Sequence, residues 1–355
     1  MTIERFSAER FRCLTEFEFE PGPSFNLVYG ANASGKTSLL EALAYLGRGK
    51  SFRGASVTEL IQHGTRDFVL RGTVASDGRA VRIGVRNSRE GLEVRIGGET
   101  ASGAAALVDA LPLQVIDPAV HDLVAGGPDQ RRRFLDWLTF HVEHGYATVW
   151  RQFRRALKQR NAVLKTEAAP AALAPWDVEF GALAACVDEA RRRAFQTARV
   201  ALSARADELL DGAVDFEYRR GWPEDTSLEQ TLQDNHRRDL ASGSSQFGPQ
   251  RADLALRFDA RVARRLVSRG QQKLLASALI FGSVETVQQT LGRRLLLLLD
   301  DPAAELDTDS IERLMTAAAS LDCQIVATSL QRNALVMPPE TRVFHVEHGR
   351  LMSSD

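Results

Sequence analysis

Gly30-Ala31-Asn32-Ala33-Ser34-Gly35-Lys36-Thr37 combines two glycines, a lysine and a hydroxyl at the GxxxxGK[ST] spacing of a P-loop. Successive backbone N–H groups in such a loop wrap a phosphate chain, and the helix that follows presents its positive end to it. Gly30 and Gly35 permit the close approach, Lys36 reaches the β- and γ-phosphates, and Thr37 places a hydroxyl on Mg²⁺. An ordinary glycine turn is the alternative. The strand-like run Phe25-Asn26-Leu27-Val28-Tyr29 before the loop and the helix-like run from Ser38 to Leu46 after it weigh against that.

Two further groups of residues suit the same chemistry. Leu295-Leu296-Leu297-Leu298-Leu299 is wholly apolar and ends in Asp300-Asp301. Leucine prefers helices, but a run this short, bounded by charge, reads as a buried strand of Walker B type. Asp300 at its carboxyl end is the Mg²⁺-holding acid, and Asp301 the acid that orients an attacking water. Ser268-Arg269-Gly270-Gln271-Gln272-Lys273 stands at a helix start, where backbone and hydroxyl can approach a γ-phosphate. It resembles the signature motif of ABC ATPases, with Arg269 where transporters usually carry a second glycine. Ala304-Glu305-Leu306-Asp307 resembles their D-loop, which makes Asp307 a candidate nucleotide contact. Two weaker assignments remain open. Gln114 is either a Mg²⁺-sensing Q-loop residue or a surface glutamine, and Thr328 is either a switch residue or a structural strand-end threonine.

These groups need a parallel sheet to hold them. Besides the two strands already named, Gln324-Ile325-Val326-Ala327-Thr328 and Arg342-Val343-Phe344-His345-Val346 read as strands. Residues 66–97 alternate apolar and charged with a turn at Ser76-Asp77-Gly78-Arg79, which predicts an antiparallel sheet with Arg82, Arg86 and Arg95 on its wet face. Gly47 to Arg53 reads as a basic loop near the nucleotide or a solvated turn. From Asp129 the pattern becomes helical: residues 128–165 hold nine Lys/Arg against three Asp/Glu. This excess singles out Arg131, Arg132, Arg133, Arg154, Arg155 and Lys158 as candidate DNA contacts, solvated faces and salt bridges being the alternative. Residues 168–175 read as an Ala/Pro connector, and 177–211 as a second helix carrying Arg191-Arg192-Arg193. Leu254 to Phe258 reads as a strand and 270–291 as a helix. The expected organisation is an ATPase lobe from 1–118 and 248–355, with a helical lobe at 119–247 and the signature helix on the border.

The chain has 355 residues, 44% apolar and 26% charged, enough for two cores. Its net charge of −1 means that any nucleic-acid contact comes from local basic patches. No apolar run approaches the ~20 residues of a membrane helix, no signal core opens the chain, and Cys13, Cys186 and Cys323 form no CxxC pair. A reducing cytoplasm is the expected setting.

Lys36 and Ser268 lie 232 positions apart, wider than a transporter ATPase subunit and without the heptads of a long SMC coiled coil. With Leu123 to Asp136, Gly248-Pro249-Gln250-Arg251-Ala252-Asp253-Leu254 and the signature, the whole chain resembles the RecF family of bacterial recombination mediators. Gln250 stands where that family usually has histidine, and Pro118-Ala119-Val120 where it has a Pro-Glu-Asp-like triplet. The resemblance implies an α/β fold: a P-loop ABC/SMC-like ATPase head with an antiparallel β subdomain and an inserted helical lobe. It also implies an ATP-dependent homodimer in which Ser268, Arg269, Gly270 and Gln271 act in trans. Such a dimer binds gapped and single-stranded DNA, hydrolyses ATP slowly under DNA stimulation, and helps RecR and RecO load RecA in repair and replication restart. The competing classes are a transporter subunit, which the motif spacing opposes, and a non-hydrolysing DNA scaffold, which Lys36, Thr37 and Asp300 oppose.

Overall fold

The computed structural model describes residues 1–76, 78–166 and 170–352. In chain order, β1 (Thr2–Phe11), β2 (Leu14–Phe19) and β3 (Phe25–Tyr29) lead into α1 (Lys36–Arg48) and the short α2 (Val57–Leu60). Strands β4 (Asp67–Ser76), β5 (Arg79–Ser88), β6 (Gly91–Ile96) and β7 (Glu99–Thr100) precede α3 (Ala104–Ala110) and β8 (Leu113–Ile116). Helices α4 (Asp122–Ala125), α5 (Pro128–Val142), α6 (Tyr146–Leu164) and α7 (Pro170–Leu209) come next, then β9 (Val214–Arg219), α8 (Leu228–Asp234) and α9 (His236–Ser242). The rest is β10 (Asp253–Phe258), β11 (Arg261–Val262), α10 (Ala263–Leu266), α11 (Arg269–Leu291), β12 (Leu296–Leu299), α12 (Thr308–Ser320), β13 (Gln324–Ser329), β14 (Arg342–Glu347) and β15 (Arg350–Met352). The chain divides into one unit of Met1–Val120 with Gly292–Asp355 and a second of His121–Leu291.

In the first unit, β12 carries the leucine run as a strand buried along its whole length. It lies between β8 and β13 in a sheet ordered β15-β14-β3-β13-β12-β8, parallel except for the β14–β15 hairpin. Burial on both faces explains a strand with no polar alternation. A second, antiparallel sheet is ordered β2-β1-β4-β5-β6-β7. Its inner face supplies Phe6, Phe11, Phe68, Leu70, Ile83 and Val85 to a core shared with α1. Helix α1 is covered almost all round, and this is why Leu39, Leu40, Leu43 and Leu46 are all fully buried. Tyr45 packs edge-on against Phe11 and Phe68, and its hydroxyl accepts from Asn87 Nδ2 at 2.5 Å. The buried Glu41 carboxylate is answered by the Arg12 guanidinium and by Ser51 Oγ at 2.5 Å.

The second unit is helical, with a small sheet ordered β11-β10-β9. Tyr146, Phe153, Phe180, Val187 and Leu232 form one core cluster. Several arginines point into this unit. Arg160 is fully buried and donates to Asp177 Oδ1, Asp239 Oδ2 and Ser245 Oγ, each at 2.7 Å. Arg191 is likewise buried, donating to Asp136 Oδ1 at 2.7 Å and to the Pro249 carbonyl at 2.8 Å.

Three expectations change. Residues 248–291 belong with the helical unit, not the ATPase lobe, because β10 pairs antiparallel with β9 and α11 packs on α7. Residues 170–175 open α7 in place of a connector; Pro170 starts the helix, where its missing N–H costs nothing, and Pro175 lies inside it, where one i→i−4 bond is given up. Residues 168 and 169 of that stretch, and Asp77 of the expected hairpin turn, lie outside the described residues. Gly47 and Arg48 continue α1, so the basic loop begins only after Gly49 ends the helix with a left-handed φ of 64°.

Candidate nucleotide site

The P-loop joins β3 to α1 at the carboxyl edge of the parallel sheet. Ala33 and Gly35 both adopt left-handed backbone, φ 61° and 114°, which bends the loop into a concave run of N–H groups. Gly30 is required by crowding: a Cβ there would stand 2.2 Å from the Val346 carbonyl oxygen and 2.9 Å from Ser34 Oγ. Gly35 precedes α1 and no side chain caps its first N–H groups. They therefore face the loop as anion donors. Ser34 Oγ is buried without a partner among the described residues, and Lys36 Nζ bends back onto the carbonyls of Gly30 and Ala31, 2.8 Å from each.

Asp300, directly after β12, lies opposite this loop. Thr37 Oγ1 donates to Asp300 Oδ1 at 3.0 Å, and Thr328 Oγ1, from β13, donates to the same oxygen at 2.9 Å. Burial pushes the Asp300 carboxyl above the usual range, against the two hydroxyl hydrogen bonds that favour its charged form. Burial also lowers the Lys36 ammonium pKa, opposed by the charges of Asp301 and Asp300. Asp301 has a left-handed φ of 46°, and its N–H donates to Thr328 Oγ1 at 2.9 Å. Thr328 thus ties the backbone of one acid to the carboxylate of the other. A hydroxyl and a carboxylate 3.0 Å apart beside an uncapped helix start form a donor set that fits Mg²⁺ shared with phosphate oxygens. No cluster of three metal-ligating side chains exists among the described residues, and a cation completed by phosphate and water needs none.

Because native Asp300 holds its proton more tightly than an ordinary carboxyl, the native state binds more protons than the unfolded chain above the ordinary carboxyl range. Stability falls as pH rises through that window and stays lower at neutral pH. Asp300→Asn is therefore expected to raise the thermal midpoint at pH 7 while lowering ATP turnover by about 10²-fold or more. A variant less stable than the parent at pH 7 overturns this account of the carboxylate.

The other expected site residues fall in different surroundings. Gln114 is neither exposed nor in a loop: it is buried within β8, and its Oε1 accepts from Arg48 Nη2 at 2.8 Å. Arg48 in turn is desolvated, with its pKa lowered to about 10 by burial against the opposing pull of Asp117. Asp307 caps α12, its carboxylate accepting from Ser310 N at 2.8 Å. Ser268, Arg269, Gly270 and Gln271 begin α11 in the second unit. Ser268 and Gln271 bond reciprocally, Ser268 N to Gln271 Oε1 at 2.9 Å and Gln271 N to Ser268 Oγ at 3.2 Å, a capping box whose members stay exposed.

Among the basic candidates, Arg131 is corrected outright. It is buried on the inner side of α5, where its guanidinium forks onto Asp253 at 2.7 and 3.1 Å and donates to the Gly126 carbonyl at 3.0 Å. Arg132 pairs with Asp129 and donates to the Ala252 carbonyl at 2.7 Å, which also holds it to the protein. Arg133, Arg154, Arg155 and Lys158 are exposed, and Arg154 lies over Trp150 at 5.9 Å. Sequence reasoning missed the turn between β14 and β15. Gly349 N donates to the Ser34 carbonyl at 2.7 Å and so braces the P-loop from 315 positions away in the chain. His348-Gly349 is legible as a turn, but nothing local announces what the turn leans on.

The family model described as "RecF/RecN/SMC N terminal domain" matches residues 2–351. The chain is 39% identical to the DNA replication and repair protein RecF of Chromohalobacter salexigens over 99% of its own length and all of that protein. It is 37% identical to the RecF protein of Pseudomonas entomophila, covering 99% of this chain and 98% of that one. The chain belongs to the RecF family. In fold it is similar to the recombination mediator protein RecF solved with ATP, TM-score 0.89 at 23% identity, over 99% of this chain and 97% of that one. It is more distantly similar to an SMC head bound to the C-terminal winged-helix domain of ScpA, TM-score 0.60 at 15% identity, over 100% and 98% of the two chains. The RecF fold is thus an ABC/SMC-like ATPase head, with both the antiparallel sheet and the helical insertion present here.

Proposed function

We propose that the chain is an ATP-driven, DNA-binding switch that works as a homodimer in DNA replication and repair. The observation that carries this reading is the Thr37–Asp300 contact of 3.0 Å beside the uncapped start of α1. On this reading Gly30, Ala31, Asn32, Ala33, Ser34 and Gly35 cradle the phosphates, and Lys36 leaves the Gly30 and Ala31 carbonyls to meet them. Thr37 and Asp300 would hold Mg²⁺, which would supply neutralisation of phosphate charge. Asp301 orients the attacking water, and Thr328 keeps the two acids in register. Ser268, Arg269, Gly270 and Gln271 of one copy cap the γ-phosphate held by the other, so nucleotide joins two heads and hydrolysis parts them.

DNA contacts that span both copies exist only in the joined state, and ATP and DNA therefore favour each other's binding. Arg133, Arg154, Arg155 and Lys158 are the contacts retained from the helical unit. By family, the partners are RecR, RecO and RecA at gapped and single-stranded DNA, in the cytoplasm. Among the described residues no helix is long and apolar enough to cross a membrane.

Asp301 is one methylene shorter than glutamate, which holds the attacking water less closely and makes hydrolysis slow even with DNA. Sedimentation is expected to show a monomer alone and a dimer with ATP and gapped DNA. Persistent monomer under those conditions overturns the reading, and so does ATP turnover in the tens per second, above the common enzyme median of about 10 per second.

A further inference from the structure

The outer face of the antiparallel sheet is an open basin of about 840 Å³, lined by Arg5, Arg10, Arg71, Arg82, Arg86 and Arg95 against the carboxylates of Glu9, Asp67 and Glu93. We propose that this basin is a second DNA-binding surface, one that takes the phosphate backbone of a duplex. The inference rests on the reading of the chain as a DNA-binding switch and names a surface that the helical contacts do not include.

The strand register sets the arginines in rows. Arg5, Thr73 and Arg82 stand side by side across β1, β4 and β5. Two residues along comes the row of Ser7, Arg71, Gly84 and Arg95, and two further along that of Glu9, Val69, Arg86 and Glu93. With about 3.3 Å per residue, successive rows are roughly 6–7 Å apart. The carboxylates do not consume this charge. Glu9 is shared by Arg10 and Arg71, and Asp67 by Arg10 and Arg86. Arg82 and Arg95 are exposed and make no ion pair among the described residues. The shared carboxylates hold Arg10, Arg71 and Arg86 in place, Arg5 pairs with Glu20 at 2.7 Å, and Arg82 and Arg95 leave the face positive.

Gly84 lies in the middle row between Arg71 and Arg95. Its φ is not positive, and a Cβ there would meet nothing nearer than the Arg95 Cβ at 3.9 Å. Neither backbone strain nor crowding asks for glycine, which weakens a strand interior and there often marks the close approach of a ligand. Its absent side chain leaves a trough between two arginines. Among the described residues no aromatic side chain lines the basin, so the base-stacking platform of single-strand binders is not found there and contact with a duplex backbone is the chemistry that remains.

The test is the salt dependence of duplex binding by the full chain, with ATP, for the parent, Arg82→Ala/Arg95→Ala and Gly84→Glu, and for Arg154→Ala/Arg155→Ala/Lys158→Ala as the helical comparison. Thermal unfolding of each variant checks the fold, and poly-glutamate is the competing acidic polypeptide. The double variant is expected to weaken duplex binding about ten-fold near 0.1 M salt and to lower the slope of log affinity against log salt by about 2. Gly84→Glu, with a carboxylate in the trough, should weaken it further. An unchanged slope in a parent that binds duplex overturns this surface and leaves the switch reading standing. A parent that binds no DNA overturns both. Loss of poly-glutamate binding with duplex binding intact assigns the basin to an acidic protein segment and overturns the proposal.

Discussion

Ser268→Arg is expected to leave ATP binding within about two-fold of the parent and to abolish ATP-dependent dimerisation, raising the dimer Kd by more than about 100-fold. The reason lies in where Ser268 is. It starts α11 in the helical unit, exposed, with its hydroxyl turned to Gln271 N. The P-loop, Thr37 and Asp300 belong to the other unit. On the proposed reading, a long guanidinium side chain at that exposed position would block close approach of a second copy, while the residues of the nucleotide cradle are left unchanged. Loss of the cap itself costs only about 1 kcal/mol, so Ser268→Ala separates the two effects. It should lower helical stability slightly and weaken dimerisation far less than arginine does. Isothermal titration with ATP and sedimentation with ATP and DNA read the two properties apart. Normal ATP-dependent dimers of Ser268→Arg would falsify the trans assignment.

Arg160→Ala is expected to destabilise the helical unit by about 3–5 kcal/mol, because it strands the Asp239 carboxylate in the interior. Both side chains are fully buried, and the guanidinium also holds Asp177 and Ser245 and lies over Phe180 at 5.5 Å. The cost comes chiefly from the charge left behind, so Arg160→Met combined with Asp239→Leu should recover most of it. Urea unfolding of the full chain measures both. A loss under about 1 kcal/mol for the single variant, or no recovery in the double, rejects this account.

The contrast between Arg160 and Lys158 shows how far the sequence reaches. Both fall in the same basic stretch, and charge counting treats them alike. One is an interior strut and the other is exposed. The Arg131–Asp253 fork and the Arg191–Asp136 pair repeat the lesson, since partners 122 and 55 positions apart leave no local trace.

Local patterns were legible for a physical reason: helices and strands are encoded by short-range periodicity, capping and turn chemistry, and a phosphate cradle by the order of a few adjacent residues. The strand–loop–helix around Gly30 to Thr37, the leucine strand before Asp300, the helix start at Ser268 to Lys273 and the wet face carrying Arg82, Arg86 and Arg95 all depend on neighbours in the chain. Tertiary packing alone decided that residues 248–291 join the helical unit, that Gln114 is buried against Arg48, and that the Gly349 turn braces Ser34. It also gathered six arginines from four strands into one basin. Those outcomes depend on which surfaces meet, and two segments far apart in sequence become neighbours only when burial of apolar area and satisfaction of buried charge bring them together.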